Sequence, residues 1–473
     1  MTVADQPSFK ARADAALADR TLKTAIERTT GTAERKRAAA LSTFPEFEAA
    51  RSRGKAIKDH VIANLDHYLE TFERNAVASG ARVHWAATDE EARDIVVRLC
   101  IEAGAKRVTR SKSMLGEEIG LPQALADAGI ERVETDLAEH IIQLAGEHPS
   151  HIIWPAMHRT REQVAELFKA DHVPAPDAED PASMVQSARR VLREKFLSAD
   201  VGISGANFLI ADTGATCTVT NEGNAELTTT PPRVHIVTAG IEKLVPSTAH
   251  AFALLRLLVR SATGGELTQY TTFHCGPKRS GDADGPEEMH IVLVDNGRST
   301  MIADEFREML RCIRCGACMN HCVVYRQIGG HAYGGTYPGP MGAALTPVLD
   351  GLARSRDLAF ACTMNGRCAE VCPVKIPLPT LLRAWRVRSW NDGLEKGVAS
   401  AAVGAWAAVA RRPGLYRLVS GAGVGILRLI GTTGWIKSLP FVGGWTKYRD
   451  LPAPSGGTFM ARYKAERGKE AAK

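Results

Sequence analysis

Several features are missing from this 473-residue chain, and each absence narrows its class. The N-terminus, MTVADQPSFKARADAAL, has no apolar core of the kind a secretory signal carries, so no export is expected. No stretch approaches 18 consecutive apolar residues, which argues against a transmembrane helix. No G-x-G-x-x-G follows a predicted strand, so a dinucleotide-binding Rossmann site is unsupported. Cysteine is scarce outside two short runs: Cys100, Cys217 and Cys275 are scattered and read as ordinary semi-buried thiols.

The other seven cysteines are concentrated between Arg311 and Pro373. The first run, CIRCGACMNHC, places Cys312, Cys315, Cys318 and Cys322 in C-x2-C-x2-C-x3-C spacing. That is the spacing of a bacterial two-cluster ferredoxin, in which the fourth Cys ligates the other cluster. The second run, CTMNGRCAEVCP, supplies Cys362, Cys368 and Cys372, with Pro373 after the last. Crosswise ligation assigns Cys312, Cys315, Cys318 and Cys372 to one 4Fe–4S cluster, and Cys362, Cys368 and Cys322 to a second. Disulfides do not suit a chain expected to be cytoplasmic. Zinc favours paired C-x2-4-C or Cys/His sets over four Cys in eleven residues.

The second set is one thiolate short, because Asn365 stands where the spacing asks for Cys. Three readings stay open: a 3Fe–4S cluster; a 4Fe–4S cluster with one iron bound by water, Asn365 or a distant side chain; or no stable cluster. His321 and His331 are the nearest histidines in sequence. A second departure is Val323, where ferredoxin runs often carry Pro.

At 45% hydrophobic and 24% charged, most of the chain should be globular, with room for two or three domains. Residues 1–80 read as a helical arm with no chemistry of its own, with Ile57, Val61, Ile62, Leu65, Tyr68 and Leu69 at helical spacing. From 81 to 298 strands and helices alternate, as in a parallel sheet covered by helices. HIIWPA and GISGANFLIAD are each read as one strand, and Thr160 as a helix cap. Ligands of such sheets sit at the carboxyl ends of strands, which singles out Ser111-Lys112-Ser113, Pro155 to His158 and the loop Asn221, Glu222, Gly223, Asn224. That last loop reads first as a polar turn. Residues 299–382 form the cluster domain. A helix is expected to lead into Cys312, and a Gly/Pro-dense loop from Tyr325 to Leu349 to join the runs. Tyr325, His331, Tyr333 and Tyr337 in that loop read as cluster shielding. Residues 383–473 carry 16 Lys/Arg against 5 Asp/Glu, a basic helical C-terminal domain ending in a loose tail. Such a tail suits an acidic partner or an anionic surface.

The stretches RCIRCGACMNHCVVYRQIGGHAYGGTYPGPMGAALTP, CAEVCPVKIPLPTLL and ISGANFLIADTGATCTVTNEGN together resemble the lactate-utilisation protein B family. The resemblance implies a LUD-type α/β domain of the ribose-phosphate isomerase and CoA-transferase class, joined to an α-helical two-cluster ferredoxin-like domain. It implies an iron–sulfur electron-transfer subunit in cytoplasmic oxidation of L-lactate to pyruvate. Its expected partners are subunits of the protein A and protein C types, with no nucleic acid. Two other functions compete. In one, the α/β domain binds or transforms a small molecule and the clusters serve it, with Glu222 resembling the loop acid of CoA-transferase-like folds. In the other, the basic tail brings a quinone-reducing subunit to a membrane surface.

Overall fold

The computed structural model describes residues 7–431, 434–439, 446 and 449–470. It forms two compact units, Met1–Ser389 and Trp390–Lys473.

In the first unit, residues with β-branched and aliphatic side chains build a six-stranded sheet. Its strands are β1 (Arg82–Ala86), β2 (Arg107–Arg110), β3 (Glu131–Glu134), β4 (Val201–Gly205), β7 (Val234–Gly240) and β10 (Glu288–Val294). Their order is β1-β10-β7-β4-β2-β3, and every pairing is parallel. β7 is buried along its whole length, as a central strand covered on both faces must be. A second sheet, ordered β8-β5-β6-β9, joins β5 (Phe208–Ile210), β6 (Ala215–Thr220), β8 (Leu244–Val245) and β9 (Tyr270–His274). The segment read as one strand, GISGANFLIAD, therefore breaks at Ala206-Asn207 and divides between the sheets. Asn207 sits at the break, where its Oδ1 accepts from the N–H of Val219 at 3.0 Å.

Four helices over Phe9–Ala78 form the N-terminal arm. They pack on both the Thr248–Ala262 helix and the cysteine region. Three other sequence expectations change. Residues 148–160 form turns rather than a strand, although Thr160 does cap the Arg161–Asp171 helix through a full capping box. The approach to Cys312 is two 3-10 turns, Ser299–Met301 and Arg307–Arg311, not a helix. The Gly/Pro-dense stretch contains an 11-residue helix, Gly339–Leu349, with Pro340 in its first turn, where a missing N–H costs nothing.

The second unit holds helices Val398–Ala410 and Pro413–Ile430, which keep most of their apolar side chains exposed: Trp406 is 63% and Leu429 78% accessible. The stretch expected to be loose is helical over Phe459–Glu470. Among the described residues no helix is long and apolar enough to cross a membrane.

Candidate iron–sulfur centre and adjoining cavity

The two cysteine runs have the same backbone, fifty residues apart. Arg314 and Met364 both take left-handed φ values, 58° and 60°. For non-glycine residues that conformation costs about 1–3 kcal/mol and persists only where the surroundings impose it. Gly316 and Gly366 follow at 73° and 85°, and each opens a four-residue helix, Ala317–Asn320 or Arg367–Glu370. Asn365 therefore occupies the position of Cys315. The hydrogen bonding repeats too. The N–H of Ala317 donates to the Cys315 sulfur, and that of Arg367 donates to Asn365 Oδ1 at 3.1 Å.

None of the seven cysteines is in a disulfide, and they gather in two sets. Burial raises the pKa of Cys315 first, and the charges of Cys372 and Cys312 act with it. Cys318 is raised by burial and then by Cys315, Cys312 and Cys372. Cys322 is raised by burial and then by Cys362, and Cys368 by burial and then by Cys322 and Cys362, to about 12. Cys322, Cys362 and Cys368 also converge, with Asn365, on one small cavity. The chain thus brings together Cys312, Cys315, Cys318 and Cys372, and separately Cys322, Cys362 and Cys368. The sets adjoin at Cys318 and Cys368.

These residues fit iron–sulfur groups. Backbone N–H groups point at sulfur from Tyr325 to Cys322 at 3.5 Å, from Met364 to Cys362 at 3.3 Å and from Ile376 to Cys372 at 3.3 Å. Such donors stabilise anionic sulfur in a buried site. Among the described residues no group of three or more His, Cys, Asp or Glu side chains is set for a single metal ion. One ion draws its sulfur ligands in to about 2.3 Å, as zinc does, whereas a cube of several irons spreads its thiolates.

Neither histidine singled out near the runs reaches the second set. His321 donates Nδ1–H to the Ala317 carbonyl at 2.9 Å, and His331 pairs with the His148 carbonyl at 2.7 Å. Tyr333 does reach it, lining the small cavity and donating its hydroxyl to Cys322. Tyr325 instead donates to the Ser150 carbonyl at 2.8 Å.

The arm has a part in this centre that its sequence did not reveal. Arg51 donates to the Cys372 carbonyl at 2.8 Å and to that of Glu370 at 2.9 Å, and Arg37 donates to Val371 O at 3.1 Å. Lys58, buried on the same helix as Arg51, donates to the carbonyls of Glu242 and Leu244. Arg51 and Lys58 stand seven residues apart on one helix face, which was the available signal.

A cavity of about 430 Å³ lies beyond the carboxyl ends of the parallel strands. Ser111, Lys112 and Ser113 line it, as do Asn221, Glu222 and Asn224. From the 148–160 turns it is Ile152, Ile153 and Trp154 that line it, not Pro155 to His158. Glu222 is tied into its own turn, accepting from Thr220 Oγ1 at 3.1 Å and the Asn221 N–H at 3.3 Å. Gly223, at φ 73°, supplies the left-handed residue. Arg314 and Tyr337 wall the cavity from the cysteine side, with the guanidinium 4.4 Å from the ring centre.

Two contacts weld cavity and centre together. Glu242 is buried yet held ionised, near pKa 2. Burial opposes its charge, but Arg298 at 2.7 Å and Arg314 at 3.3 Å outweigh it. Arg298 also pairs with Glu118 at 2.7 Å, and Tyr337 donates to the same carboxylate at 2.7 Å. The second contact is His151. Its Nδ1 accepts from the N–H groups of Ile153 and Trp154 at 3.0 and 3.2 Å, so Nε2 carries the proton and donates to Asn320 Oδ1 at 3.2 Å. Burial lowers its pKa to about 3, which keeps the ring neutral. A Cβ on Gly316 would lie 3.1 Å from this ring, so glycine is needed there for space as well as for φ.

Comparison with known proteins agrees with this geometry. A LUD domain model matches residues 69–294, and a 4Fe-4S dicluster domain model matches 308–376. Lactate utilization protein B of Bacillus pumilus (strain SAFR-032) is 40% identical over 466 residues, 98% of each chain. The chain belongs to the lactate utilization protein B family. Lactate utilization protein B of Shouchella clausii (strain KSM-K16) is 39% identical across 99% of both chains. The uncharacterized electron transport protein YkgF of Escherichia coli (strain K12) is 42% identical over 426 residues, 90% of this chain and 89% of that one. A crystal structure of a DUF162 family protein from Deinococcus radiodurans covers 49% of this chain and 98% of its own at 12% identity. Its TM-score of 0.29 is too low to carry an argument.

Proposed function

We propose that this chain is the iron–sulfur electron-transfer subunit of a cytoplasmic system oxidising L-lactate to pyruvate, working with subunits of the protein A and protein C types. The observation that carries the reading is the pair of thiol sets, drawn crosswise from two backbone-identical runs, inside a chain 40% identical along its length to proteins named for lactate utilisation. Cys312, Cys315, Cys318 and Cys372 hold a 4Fe–4S cluster, and Cys322, Cys362 and Cys368 hold the second. When bound, such clusters accept and release single electrons. The protein's part is to bury the thiolates, direct N–H donors at them and balance their charge with Arg37, Lys58 and Arg314. The α/β domain is taken to be of the ribose-phosphate isomerase and CoA-transferase class.

At the second set, Asn365 replaces a thiolate and a neutral amide is a poor ligand for a soft cluster. The cluster there holds one iron weakly and is 3Fe–4S as isolated. The basic helices after residue 390 are the surface offered to the partner subunits.

The test is anaerobic purification followed by EPR, then addition of L-lactate without and with the partner subunits. Cluster reduction by lactate only when the partners are present supports the reading. Reduction by lactate on the isolated chain moves the chemistry into this subunit, and protein without iron or sulfide removes the reading.

A further inference from the structure

Electron transfer alone does not account for the large cavity. It occupies the place where parallel sheets bind ligands, and its volume of about 430 Å³ is in the range of small-molecule sites. One wall is apolar, with Ile153, Trp154, Leu137 and Leu258. The cations that line the cavity are nearly all engaged: Arg298 with Glu118 and Glu242, Lys112 with Asp136 at 3.2 Å and the Ile153 carbonyl at 3.0 Å. Lys243 differs. It lines the cavity from the turn that ends β7, yet among the described residues its ammonium has no hydrogen-bond or ion-pair partner. Arg314 keeps a 3.3 Å contact with Glu242, its place over Tyr337 and a long 4.0 Å contact from Nη1 to Met341 Sδ.

We propose that this cavity binds an organic carboxylate, its anionic head on Lys243 and Arg314 and its apolar body against Trp154 and Ile153. The proposal deepens the lactate-oxidation reading and rests on it for the class of acid, a 2-hydroxy or 2-oxo acid. Charge count favours a monoanion. Four cationic side chains line the cavity, Lys112, Lys243, Arg298 and Arg314, against three anionic ones, Asp136, Glu222 and Glu242, and an excess of one positive charge suits a monoanion better than a dianion such as phosphate. An inorganic ion would also leave the apolar wall uncovered. Arg314 lies between Cys312 and Cys315, so a bound acid sits against the first cysteine run and not the second.

The test uses the full chain carrying its clusters, purified anaerobically. Calorimetric titrations with L-lactate, pyruvate and 4-methyl-2-oxopentanoate should give saturable binding, tightest for the longest chain, with inorganic phosphate not competing. Lys243→Met should weaken binding about tenfold or more, the loss of one charged hydrogen bond, and Lys243→Arg should retain most of it. Ala138→Trp, which fills the cavity from the Leu137–Ala145 helix, should abolish binding and guards against a folding defect in the first variant. Addition of acid should shift the EPR signal of the cluster on the first run alone. No saturable binding by any of the three acids to iron-replete protein would overturn the proposal, as would wild-type affinity in Lys243→Met. Reduction by dithionite is followed in parallel. Normal reduction without acid binding removes this site and leaves the electron-transfer reading, whereas acid binding to a chain whose clusters never reduce does the reverse.

Discussion

The two cysteine runs share one backbone and differ in what surrounds it. Gly316 of the first is pressed by His151, while a Cβ on Gly366 of the second would meet nothing within 4 Å. The first run's Arg314 belongs to a buried chain of charges through Glu242, Arg298 and Glu118, whose side chains from Glu242 to Glu118 are at most 4% exposed. The second run's nearest ion pair, Arg367 with Glu370, lies at the surface. The first run has Cys315, and the second has Asn365, exposed to solvent. The same loop thus gives one thiol set locked into the protein's core and its cavity, and another whose run opens to the outside at Asn365.

The largest expected effect falls on the locked side. Arg298→Met leaves Glu118 and Glu242 buried without their main partner, a change that costs about 3–5 kcal/mol in comparable networks. Thermal unfolding should show a large drop in Tm, while Arg367→Ala should barely move it. Equal effects would mean the runs are not held differently. Next is ligation. Cys315→Ser should remove the first cluster's EPR signal and spare part of the second's, and Cys372→Ala should damage the first cluster despite lying in the second run. Damage confined to the second would disprove the crossing.

A smaller effect concerns potential. Arg37, Lys58 and Arg314 act on thiols of the first set, and positive charge favours the reduced cluster. Redox titration of Arg37→Gln should lower the potential of the first cluster and leave that of the second unchanged. The smallest lies in the α/β domain. Glu139 is buried beside Glu134 and Asp136, and burial first, then those carboxylates, raise its pKa well above the usual range. Folding favours its protonated form, whereas the unfolded chain ionises it from about 4.5, its ordinary value, so stability falls as pH rises above that point. Glu139→Gln should flatten that fall in Tm between acid and neutral pH; an unchanged slope would refute a buried proton there.

Much of this was legible in the sequence because it is local. Thiol spacing, the alternation of β-branched strands with capped helices, and the turn residues at Asn221–Asn224 each follow from neighbours along the chain. Several of the misses are products of distant contact. The Gly339–Leu349 helix is buried, so its apolar residues surround it and leave no face to read. Gly342 is needed there because a Cβ would strike the Tyr337 carbonyl. The 148–160 turns have a strand's composition but are shaped by residues from another part of the chain, Asn320 bonded to His151 and Tyr325 bonded to the Ser150 carbonyl. The role of Arg37 and Arg51 appears only once three hundred residues of chain have folded back onto the arm.

The central claim is that one architecture holds two clusters, the second lacking a thiolate at Asn365. Iron and sulfide analysis with EPR on anaerobically purified wild type and Asn365→Cys tests it most directly. The account expects about seven irons per chain in the wild type, with an oxidised 3Fe–4S signal beside the 4Fe–4S one, and about eight in Asn365→Cys with that signal gone. About eight irons in both proteins would contradict it, and would mean that another group already completes the second cluster.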